Sequence, residues 1–585
     1  MERNSCFFHS HIPIAFSSLP HILPSVTSLL SLYGFYHFHG FFFIQTGEGS
    51  TTVQSRTTAG IRHPGGLHHY PLTFFDIHWL PLPPVELLFF YDFSYSLSEF
   101  THTLLPHLKH SLSSTLIHFY TLAGNLSWPT HEPTNNKPII SNTEGDSVSF
   151  TVAESDANFY HLSANHLKDA AETRPLVPHL PVNEPIVPML AIKVTVFPNS
   201  GICIGVAHHH SICNGRAFSH FMKTWASLSK LGDASPSLSP DSLPFSDRTG
   251  IKDRDGISDR CLNELDRFMK RSSDQFPVVS EMNHQRLRVM DIKLQPNMVR
   301  ATFELNQASC RRLKELVFAQ YKKKKDHDQQ TQSMIPPSRL VSICAYTWVC
   351  LLKAEAKAGE SKSIETRFVV NADCRARLDP PMPKSYLGNC VKPVVVIARK
   401  TDFMRGDGFA VAAQLIGGAV HKGVVNNPDI LNGLENGVSD LLEVQSSRVL
   451  AASGSPQFGL YDTDFGLGRP KKVEMASIDR TGAMFLKESS NLDDGGLEFD
   501  LVLNRKQMNA FVSLFIGGLN AAQCKSPHQY CSEANGFLSI TGSKYATERA
   551  LFDMEDTWDQ VSSPSLLMET DRVDLYKDNT EPTSN

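Results

Sequence analysis

Three consecutive histidines, His208–His210, stand where the pattern of the sequence changes. An imidazole has an unperturbed pKa of about 6.5 and can therefore take a proton from a hydroxyl group at neutral pH. Imidazoles also bind metal ions or pack in protein interiors, but a metal site needs further ligands at suitable spacing, and there is no HExxH motif or Cys/His array. We therefore favour a general base among these histidines, with structural histidines and metal binding as the alternatives.

A second stretch with chemical potential is Tyr461–Lys472, which reads YDTDFGLGRPKK. Its Asp464–Gly466 segment invites comparison with the magnesium-binding DFG of protein kinases. The comparison fails because the chain has no HRD-type catalytic loop, APE motif, glycine-rich loop or strand lysine in the positions that a kinase requires. The chain also has no GxSxG motif and no phosphate-binding loop, so the sequence does not match a serine hydrolase or a P-loop protein either.

The elements around the histidines explain how one of them could be held rigidly. Ala191–Phe197 reads as a strand, a turn follows, and Ile202–Ala207 reads as the returning strand. Asn214–Gly215 is a turn dipeptide, and apolar residues then recur at helical spacing as far as Leu228. The histidines are thus predicted at a strand end that faces a cleft. Since side chains alternate along an extended backbone, at most one of His208 and His209 shares the face of His210.

Composition limits the class of protein. The chain has 585 residues, of which 41% are hydrophobic and 20% charged, as in ordinary globular proteins. Its net charge of −5 does not favour nucleic acid or an anionic membrane as a partner. Its 11 cysteines are scattered without a CxxC pair, which is typical of a reduced, cytoplasmic protein.

The chain is predicted to have a regular body between two atypical ends. Residues 1–70 form an extension rich in Phe, His, Ser, Leu and Pro, whose apolar runs are too short for a membrane span. We interpret it as dispensable sequence or a misassigned start, with a targeting or packed segment as alternatives. Within the body, Ser235–Asp259 is dense in Ser, Pro, Asp and Gly and is predicted to be a long connection between halves of similar size. Residues 520–585 are a peripheral polar tail.

Taken together, these stretches resemble the plant BAHD family of acyl-CoA-dependent acyltransferases, whose signatures are HxxxD near mid-chain and DFGWG near the C-terminus. Here His210 is followed four residues later by Asn214 and then Gly215, and Asp464–Gly468 reads DFGLG. Further segments are similar to the branch that malonylates anthocyanin, flavonoid and other phenolic glucosides. They are Leu72–Asp76 (LTFFD), Asp373–Pro381 (DCRARLDPP) and Tyr386–Cys390 (YLGNC).

The resemblance implies an α/β (α+β) fold with two chloramphenicol-acetyltransferase-like domains, a long crossover and an active-site channel between the domains. It predicts an N-terminal domain at 71–234, a crossover at 235–284 and a C-terminal domain at 285–519. It also implies malonyl-CoA, or another acyl-CoA, as a co-substrate, a phenolic glycoside as the acceptor, no bound cofactor and no metal.

The resemblance assigns roles to individual residues. His210 would be the general base for direct transfer in a ternary complex, and Asp464 is included with it in the catalytic set. The motif residues with structural roles are Asn214, Gly215, Phe465, Gly466, Gly468, Arg375 and Arg377. Basic residues at one mouth of the channel would bind CoA, and Arg469, Lys471 and Lys472 are the candidates.

This chain departs from the family pattern mainly at Asn214 and Leu467. The family has aspartate at the first position, where it is thought to pair with a buried arginine, and Arg375 or Arg377 is the candidate partner here. Asparagine would leave that arginine without a charge partner, at a cost of about 3–5 kcal/mol. Leu467 stands where the family has tryptophan, which removes an indole donor and packing area.

Three hypotheses therefore remain from the sequence. The first is a cytoplasmic, monomeric acyltransferase that moves malonyl from CoA to the sugar of a phenolic glycoside. The second is a weakly active or inactive paralogue of the same fold that binds CoA or glycosides without turnover. The third is an unrelated hydrolase or metal protein that uses the histidine cluster.

Overall fold

The computed structural model describes residues 44–47, 50–58, 68–129, 137–232, 238, 242–271, 287–327, 337–360, 363–427, 429–437, 448–491 and 495–521. The strands in chain order are β1 (Ile44–Gly47), β2 (Ser50–Thr58), β3 (His68–Pro71), β4 (Val85–Asp92), β5 (Asn125–Ser127), β6 (Ile139–Asn142), β7 (Ser147–Glu154), β8 (Lys168–Asp169), β9 (Ile186–Pro188), β10 (Leu190–Phe197), β11 (Gly201–His208), β12 (Met298–Leu305), β13 (Glu365–Asp373), β14 (Val391–Arg399), β15 (Arg448–Gly454), β16 (Lys472–Met475), β17 (Met484–Glu488) and β18 (Leu497–Asn504). The α-helices are α1 (Phe74–Ile77), α2 (Leu97–Glu99), α3 (Leu105–His118), α4 (Phe159–Leu162), α5 (Gly215–Leu231), α6 (Ile257–Arg271), α7 (Gln307–His327), α8 (Arg339–Ala358), α9 (Gly408–Val420), α10 (Ile478–Thr481) and α11 (Arg505–Ala521).

The first large sheet carries the histidines at the end of a central strand. Its order is β1-β2-β7-β10-β11-β4-β16. Every residue of β11 is buried, because helices cover one face of the sheet and the second half of the chain covers the other. Antiparallel pairing holds β11 between β10 and β4, with His208 opposite both Leu190 and Val85. The predicted strands, turn and following helix are confirmed here.

The second large sheet belongs mainly to the other half of the chain, in the order β14-β13-β15-β17-β18-β12-β8. Helices α7, α8, α9 and α11 pack together beside it, around the buried Trp348 and a group of phenylalanines. One helical stretch among the described residues, Gly408–Val425, is long and apolar enough by composition to cross a membrane, with a mean hydropathy of 1.3. This stretch includes α9, which packs on α8, α7 and β14, and a core helix passes the same composition test.

The two halves exchange strands. β16, from the second half, pairs with β4 at the end of the first sheet, and the short β8, from the first half, pairs with β12 at the end of the second sheet. A third, four-stranded sheet has the order β3-β6-β5-β9. The described residues from Ile44 onward accordingly belong to one compact unit.

The strands also show that the ordered sheet begins before Pro71, the predicted start of the body. β2 pairs antiparallel with β7 along Thr52–Thr58, and β1 pairs with β2. Composition missed β2 because it is polar and rich in threonine, which suits a strand near a sheet edge. Most of the predicted extension, residues 1–43, and nearly all of the predicted tail, residues 522–585, lie outside the described residues.

Candidate active site

The turn that carries His210 is fixed from both sides. β11 ends at His208, and α5 begins at Gly215. Asn214 is the N-cap of α5: its side-chain oxygen accepts a hydrogen bond from the Ala217 N–H at 3.2 Å. A Cβ on Gly215 would lie 2.5 Å from the Phe458 ring, so only glycine fits at this point. The prediction of a rigid strand–turn–helix position for the histidine is therefore confirmed.

The three histidines have different surroundings. His210 is partly exposed and stacks on the indole of Trp79, with ring centroids 4.1 Å apart and planes 7° apart. Its Nδ1 is enclosed without a hydrogen-bond partner, whereas Nε2 is not enclosed, so Nε2 is the nitrogen that a substrate can reach. His208 is stacked on Phe218 at 4.8 Å, and His209 Nδ1 contacts Ser211 Oγ at 2.8 Å.

His208 and His209 are thus packed in the interior, which leaves His210 as the candidate base. Among the described residues, no group of three or more His, Cys, Asp or Glu side chains could hold a metal ion. Burial lowers the pKa of His210 to about 4, against a smaller opposing effect of its own backbone carbonyl. The imidazole is therefore neutral at pH 7 and able to accept a proton, although the same burial reduces its basicity.

A buried carboxylate connects the His210 turn to two distant segments. Asp76, at the N-terminal turn of α1, is fully buried, and its Oδ2 pairs with Arg248 Nη1 at 2.5 Å. Its Oδ1 accepts hydrogen bonds from the backbone and side-chain N–H groups of Asn389, both at 3.1 Å. The same Asn389 side chain donates to the backbone carbonyl of His210 at 3.0 Å. The network joins three of the segments that carry the family resemblance.

Sequence reasoning did not assign Asp76, Trp79, Arg248 or Asn389 to the site. Asp76 and Asn389 lie in the LTFFD and YLGNC segments, so the resemblance was the signal that could have found them. Arg248 lies in the stretch predicted as a connection, where nothing in the local composition marks it. The crossover therefore contributes a buried charge to the site, and Phe245 within it also bridges to Tyr386.

The arginine that contacts Asn214 is Arg375. Its Nη2 donates to Asn214 Oδ1 at 3.2 Å and also lies 3.3 Å from the Tyr386 and Gly388 carbonyls. Its Nη1 lies 3.2 Å from both carboxylate oxygens of Asp373. The expectation that Asn214 leaves this arginine without a charge partner is therefore wrong, because Asp373 supplies the carboxylate.

Two further arginines, Arg377 and Arg216, have partners other than Asn214. Arg377 contacts the Val424 carbonyl through Nε at 3.2 Å and is not the partner of Asn214. Asp373 also pairs with Arg216 at 3.1 Å, so one carboxylate serves two guanidinium groups. The Nε of Arg375 is enclosed without a partner. The cluster is thus short of one acceptor, at the place where the family has aspartate.

The Asp464–Gly468 loop is organised by its own aspartate. Asp464 Oδ1 accepts from the N–H groups of Gly466 and Gly468 at 2.8 and 2.9 Å, and Oδ2 pairs with Lys230 at 2.6 Å. Partial burial raises the pKa of Asp464, but these contacts outweigh it and leave that pKa below its usual value. These contacts of Asp464 lie within the loop and on α5 and fit a structural role, and its place in the catalytic set stays a prediction.

The rest of this loop packs against the first sheet. Phe465 is buried edge-on to Tyr91 and Trp225, at 5.8 and 4.7 Å between ring centroids. Gly466 and Gly468 have φ values of 89° and 82°, which only glycine adopts without strain. Leu467 is partly buried against the same core.

Of the three basic residues predicted to bind CoA, Lys471 is exposed and Arg469 is half-buried. Arg469 contacts the Tyr461 carbonyl at 2.9 Å, and Lys471 lies 3.4 Å from Asp92 and over the Tyr160 ring. Lys472 is 1% exposed, and its ammonium contacts Asn165 and Thr302. The prediction that Lys472 meets a phosphate-bearing ligand is therefore corrected, because β16 carries it into the interior between the halves.

A cavity of about 340 Å³ lies between the two halves of the chain. The first half lines it with residues that include Pro84, Glu86 and Leu180, and the second half with residues that include Met290 and Arg480. Glu86 pairs with Ala207 in the sheet, and the described lining of the cavity does not include His208, His209 or His210. Arg480 pairs with Glu86 at 2.5 Å in its wall.

Comparisons with known proteins identify the family of the chain. Residues 52–515 match the family model described as the Transferase family. The chain is 36% identical over 462 residues to the malonyl-coenzyme:anthocyanin 5-O-glucoside-6'''-O-malonyltransferase of Salvia splendens. The alignment covers 77% of this chain and 92% of that protein. It is 34% identical over 469 residues to phenolic glucoside malonyltransferase 2 of Arabidopsis thaliana, covering 80% of this chain and 97% of that protein.

Solved structures share the fold. Vinorine synthase superposes with a TM-score of 0.55 at 20% identity, covering 80% of this chain and 98% of that one. F. graminearum TRI101, solved with coenzyme A and deoxynivalenol, superposes with a TM-score of 0.53 at 12% identity, covering 80% of this chain and 99% of that one. The predicted fold class, a two-domain acyltransferase fold, is confirmed.

Proposed function

The chain belongs to the BAHD branch of the Transferase family, the acyl-CoA-dependent O-acyltransferases, and we propose that it moves a malonyl group from malonyl-CoA to a sugar hydroxyl of a flavonoid, anthocyanin or other phenolic glucoside. The observation that carries the proposal is the accessible Nε2 of His210, held in the turn between β11 and α5. The malonyltransferase names of relatives that match most of the chain support the choice of donor and acceptor.

The chemistry follows from a neutral imidazole with one accessible nitrogen. Nε2 of His210 takes the proton of the acceptor hydroxyl while the hydroxyl oxygen attacks the thioester carbonyl carbon. The C–S bond then breaks, and the CoA thiolate takes the proton from the imidazolium. The products are the malonyl ester and free CoA, and the histidine returns to its starting state. No covalent acyl-enzyme is required, so the protein contributes orientation and proton transfer.

We propose that the acceptor hydroxyl approaches Nε2 of His210, the ring nitrogen that is not enclosed. The exposed Lys471 and the half-buried Arg469 remain the candidates for the CoA phosphates.

We further propose that the enzyme acts as a monomer in the cytoplasm. The cysteines that the structure describes are free thiols, all of them buried, which fits a reducing compartment. Sedimentation of the purified protein tests the first part, and imaging of the tagged full-length chain in plant cells tests the second. A stable dimer or a compartment signal outside the cytoplasm would reject the corresponding part.

The experiment for the main proposal is mass spectrometry of purified protein incubated with malonyl-CoA and a panel of flavonoid glucosides. We expect a product heavier by one malonyl group, formed together with free CoA. His210→Ala should abolish it, whereas the matched control His69→Ala, which removes an exposed histidine of β3, should not.

Other results would identify other functions. A product with acetyl-CoA or a hydroxycinnamoyl-CoA alone would correct the donor. No product from a protein that melts cooperatively and binds CoA would reject the proposal in favour of the inactive paralogue. Turnover that survives in His210→Ala would reject the assigned base.

A further inference from the structure

The closest neighbour of the candidate base is an indole that the mechanism does not use. Trp79 lies face to face with the His210 ring, at 4.1 Å between centroids and 7° between planes. Aromatic pairs in proteins are more often offset or edge-on, with their ring centroids farther apart. The indole therefore packs against one face of the imidazole.

Trp79 is itself fixed by the network around Asp76. Its backbone N–H donates to the Asp76 carbonyl at 3.1 Å, and its own carbonyl accepts from the Leu82 N–H at 3.3 Å. The side chain is 4% exposed, and its Nε1 is enclosed without a hydrogen-bond partner. A buried indole N–H usually finds an acceptor, so the position of this ring is set by its packing on His210 and not by a hydrogen bond.

Both backbone and side-chain contacts thus fix the relative position of the two rings. Asn389 links the Asp76 carboxylate to the His210 carbonyl, and Asp76 also starts the turn that carries Trp79. Asp76 therefore contacts both segments, through its carboxylate to Asn389 and through its backbone carbonyl to Trp79. The structure describes no hydrogen bond from the His210 ring to another residue that would fix its rotation, since Nδ1 lacks a partner.

We propose that Trp79 is a positioning residue for the base: its indole face holds the His210 imidazole in one orientation and excludes water from it, so that Nε2 stays directed at the substrate. This inference rests on the proposed function, because it concerns the proton transfer that His210 performs. Trp79 would affect catalysis only through His210 and would not contact the reacting atoms.

The exclusion of water has a measurable consequence. Burial is the main cause of the lowered pKa of His210. The titratable groups that interact with it are His208 and His209 on its own segment, and the Asp76–Arg248 ion pair is connected to its backbone carbonyl through Asn389. An indole face also attracts an imidazolium, which acts in the opposite direction but is the smaller effect. Removing the indole should therefore raise the pKa of His210 towards its ordinary value.

The test compares Trp79→Ala, which removes the ring, with Trp79→Phe, which keeps a stacking ring but removes the N–H. We expect Trp79→Ala to lower kcat about 100-fold with little change in the KM for malonyl-CoA, as for a misplaced base. We expect its kcat/KM to decline below about pH 6, where the parent stays level to pH 5. Trp79→Phe should keep kcat within about fivefold of the parent and show no such decline.

The matched control is Trp128→Ala, which removes an equally buried tryptophan, also 4% exposed, elsewhere in the first half. It should lower the melting temperature without changing the pH profile. The proposal is overturned if Trp79→Ala keeps the kcat of the parent, or loses it without a change in the pH profile. If Trp79→Ala does not fold, a large loss of kcat in Trp79→Phe would overturn it equally.

A second measurement separates this proposal from the proposed function. Diethyl pyrocarbonate modifies unprotonated imidazoles, and mass spectrometry of the His210 peptide reports its modification rate at each pH without any turnover. The rate in Trp79→Ala should fall as the pH drops through about 6, whereas the parent should keep its rate to lower pH. If the parent and Trp79→Ala show the same dependence of the modification rate on pH, the shielding role is rejected. This result can be obtained even if the parent has no enzymatic activity, so it does not depend on the proposed function.

Discussion

The side-chain amide of Asn389 donates a hydrogen bond to the backbone carbonyl of His210 at 3.0 Å, across 179 residues of sequence. The same amide donates to the Asp76 carboxylate, which pairs with Arg248. The position of the base thus depends on a buried ion pair between α1 and the crossover. This arrangement makes the ion pair important for both stability and turnover.

Asp76→Asn should therefore be strongly destabilising. The change leaves the buried Arg248 guanidinium without a charge partner, which costs about 3–5 kcal/mol in the free energy of unfolding. Urea denaturation measures the loss. Arg248→Met added to Asp76→Asn should recover part of it, because both charges are then gone.

An exposed pair provides the control for Asp76. Arg254 and Asp379 lie 3.7 Å apart with side chains 63% and 90% exposed. Arg254→Met should change the free energy of unfolding by less than about 1 kcal/mol. A double variant of Asp76 and Arg248 whose loss equals the sum of the single losses would contradict the pairing.

Asn214→Asp should raise stability. Three guanidinium groups, those of Arg216, Arg248 and Arg375, lie in this cluster against the carboxylates of Asp76 and Asp373, and Arg375 already contacts Asn214. A carboxylate at 214 would supply the missing acceptor and a charge partner for Arg375, for a gain of about 1–2 kcal/mol, whereas asparagine and aspartate are equally good N-caps. Thermal melting of the variant measures the gain.

The partner of residue 214 can be verified with a mutant cycle. The gain from Asn214→Asp should disappear in an Arg375→Met background and persist in an Arg377→Met background, because Arg377 contacts Val424 instead. An equal gain in both backgrounds would show that the new carboxylate does not act through Arg375.

The local part of the site could be predicted from the sequence. The strand, turn and helix around His210 follow from alternation, turn residues and helical spacing within a short window. The choice of His210 over His208 and His209 came from the family resemblance, and it fits the structure, in which His210 is partly exposed and the other two are buried.

The long-range part could not be predicted. Arg248 pairs with a residue 172 positions away, and nothing near it in sequence distinguishes it from the other charges of the connection. The pairing of β16 and β8 with the sheets of the opposite halves could not be predicted either, because strands of four and two residues carry no periodic signal. For this reason Lys472 was interpreted as a surface residue although it is buried. Tertiary pairing decides such positions, and composition does not record it.

Stability should decrease as the pH falls below 7. Burial lowers the pKa values of His208 and His209 to about 3 and that of His210 to about 4. Between these values and about 6.5, the unfolded chain binds protons that the folded chain does not, so the free energy of unfolding rises with pH in this window and falls on acidification. Each histidine contributes about 1.4 kcal/mol per pH unit at the steepest point.

Urea denaturation at pH 7, 6 and 5 measures this dependence. Buried His78, whose pKa is also lowered by burial, adds to it in the same direction. His209→Gln removes one of these histidines, so the slope of the free energy of unfolding against pH should fall by about 1.4 kcal/mol per pH unit at its steepest point. A free energy of unfolding that stays constant from pH 7 to 5 would contradict the burial of neutral imidazoles.

Asp464→Asn should destabilise the loop that precedes β16 by about 1–2 kcal/mol, most of it from weaker hydrogen bonds to the Gly466 and Gly468 N–H groups. Because the pKa of Asp464 is lowered, its contribution is fully present above about pH 4 and is lost as the pH falls through the folded pKa. The matched variant Lys230→Met removes only the pair with a 58% exposed lysine and should cost less than about 1 kcal/mol.

Activity then distinguishes an organising role for Asp464 from a catalytic one. Gly468→Ala strains the loop at a φ of 82° without touching the carboxylate, and its Cβ would meet no atom within 4 Å. Its cost of about 1–2 kcal/mol therefore comes from the backbone alone. If Asp464 acts by ordering the loop, Gly468→Ala and Asp464→Asn should lower kcat to a similar extent. A loss of kcat confined to Asp464→Asn would instead place its carboxylate in the reaction.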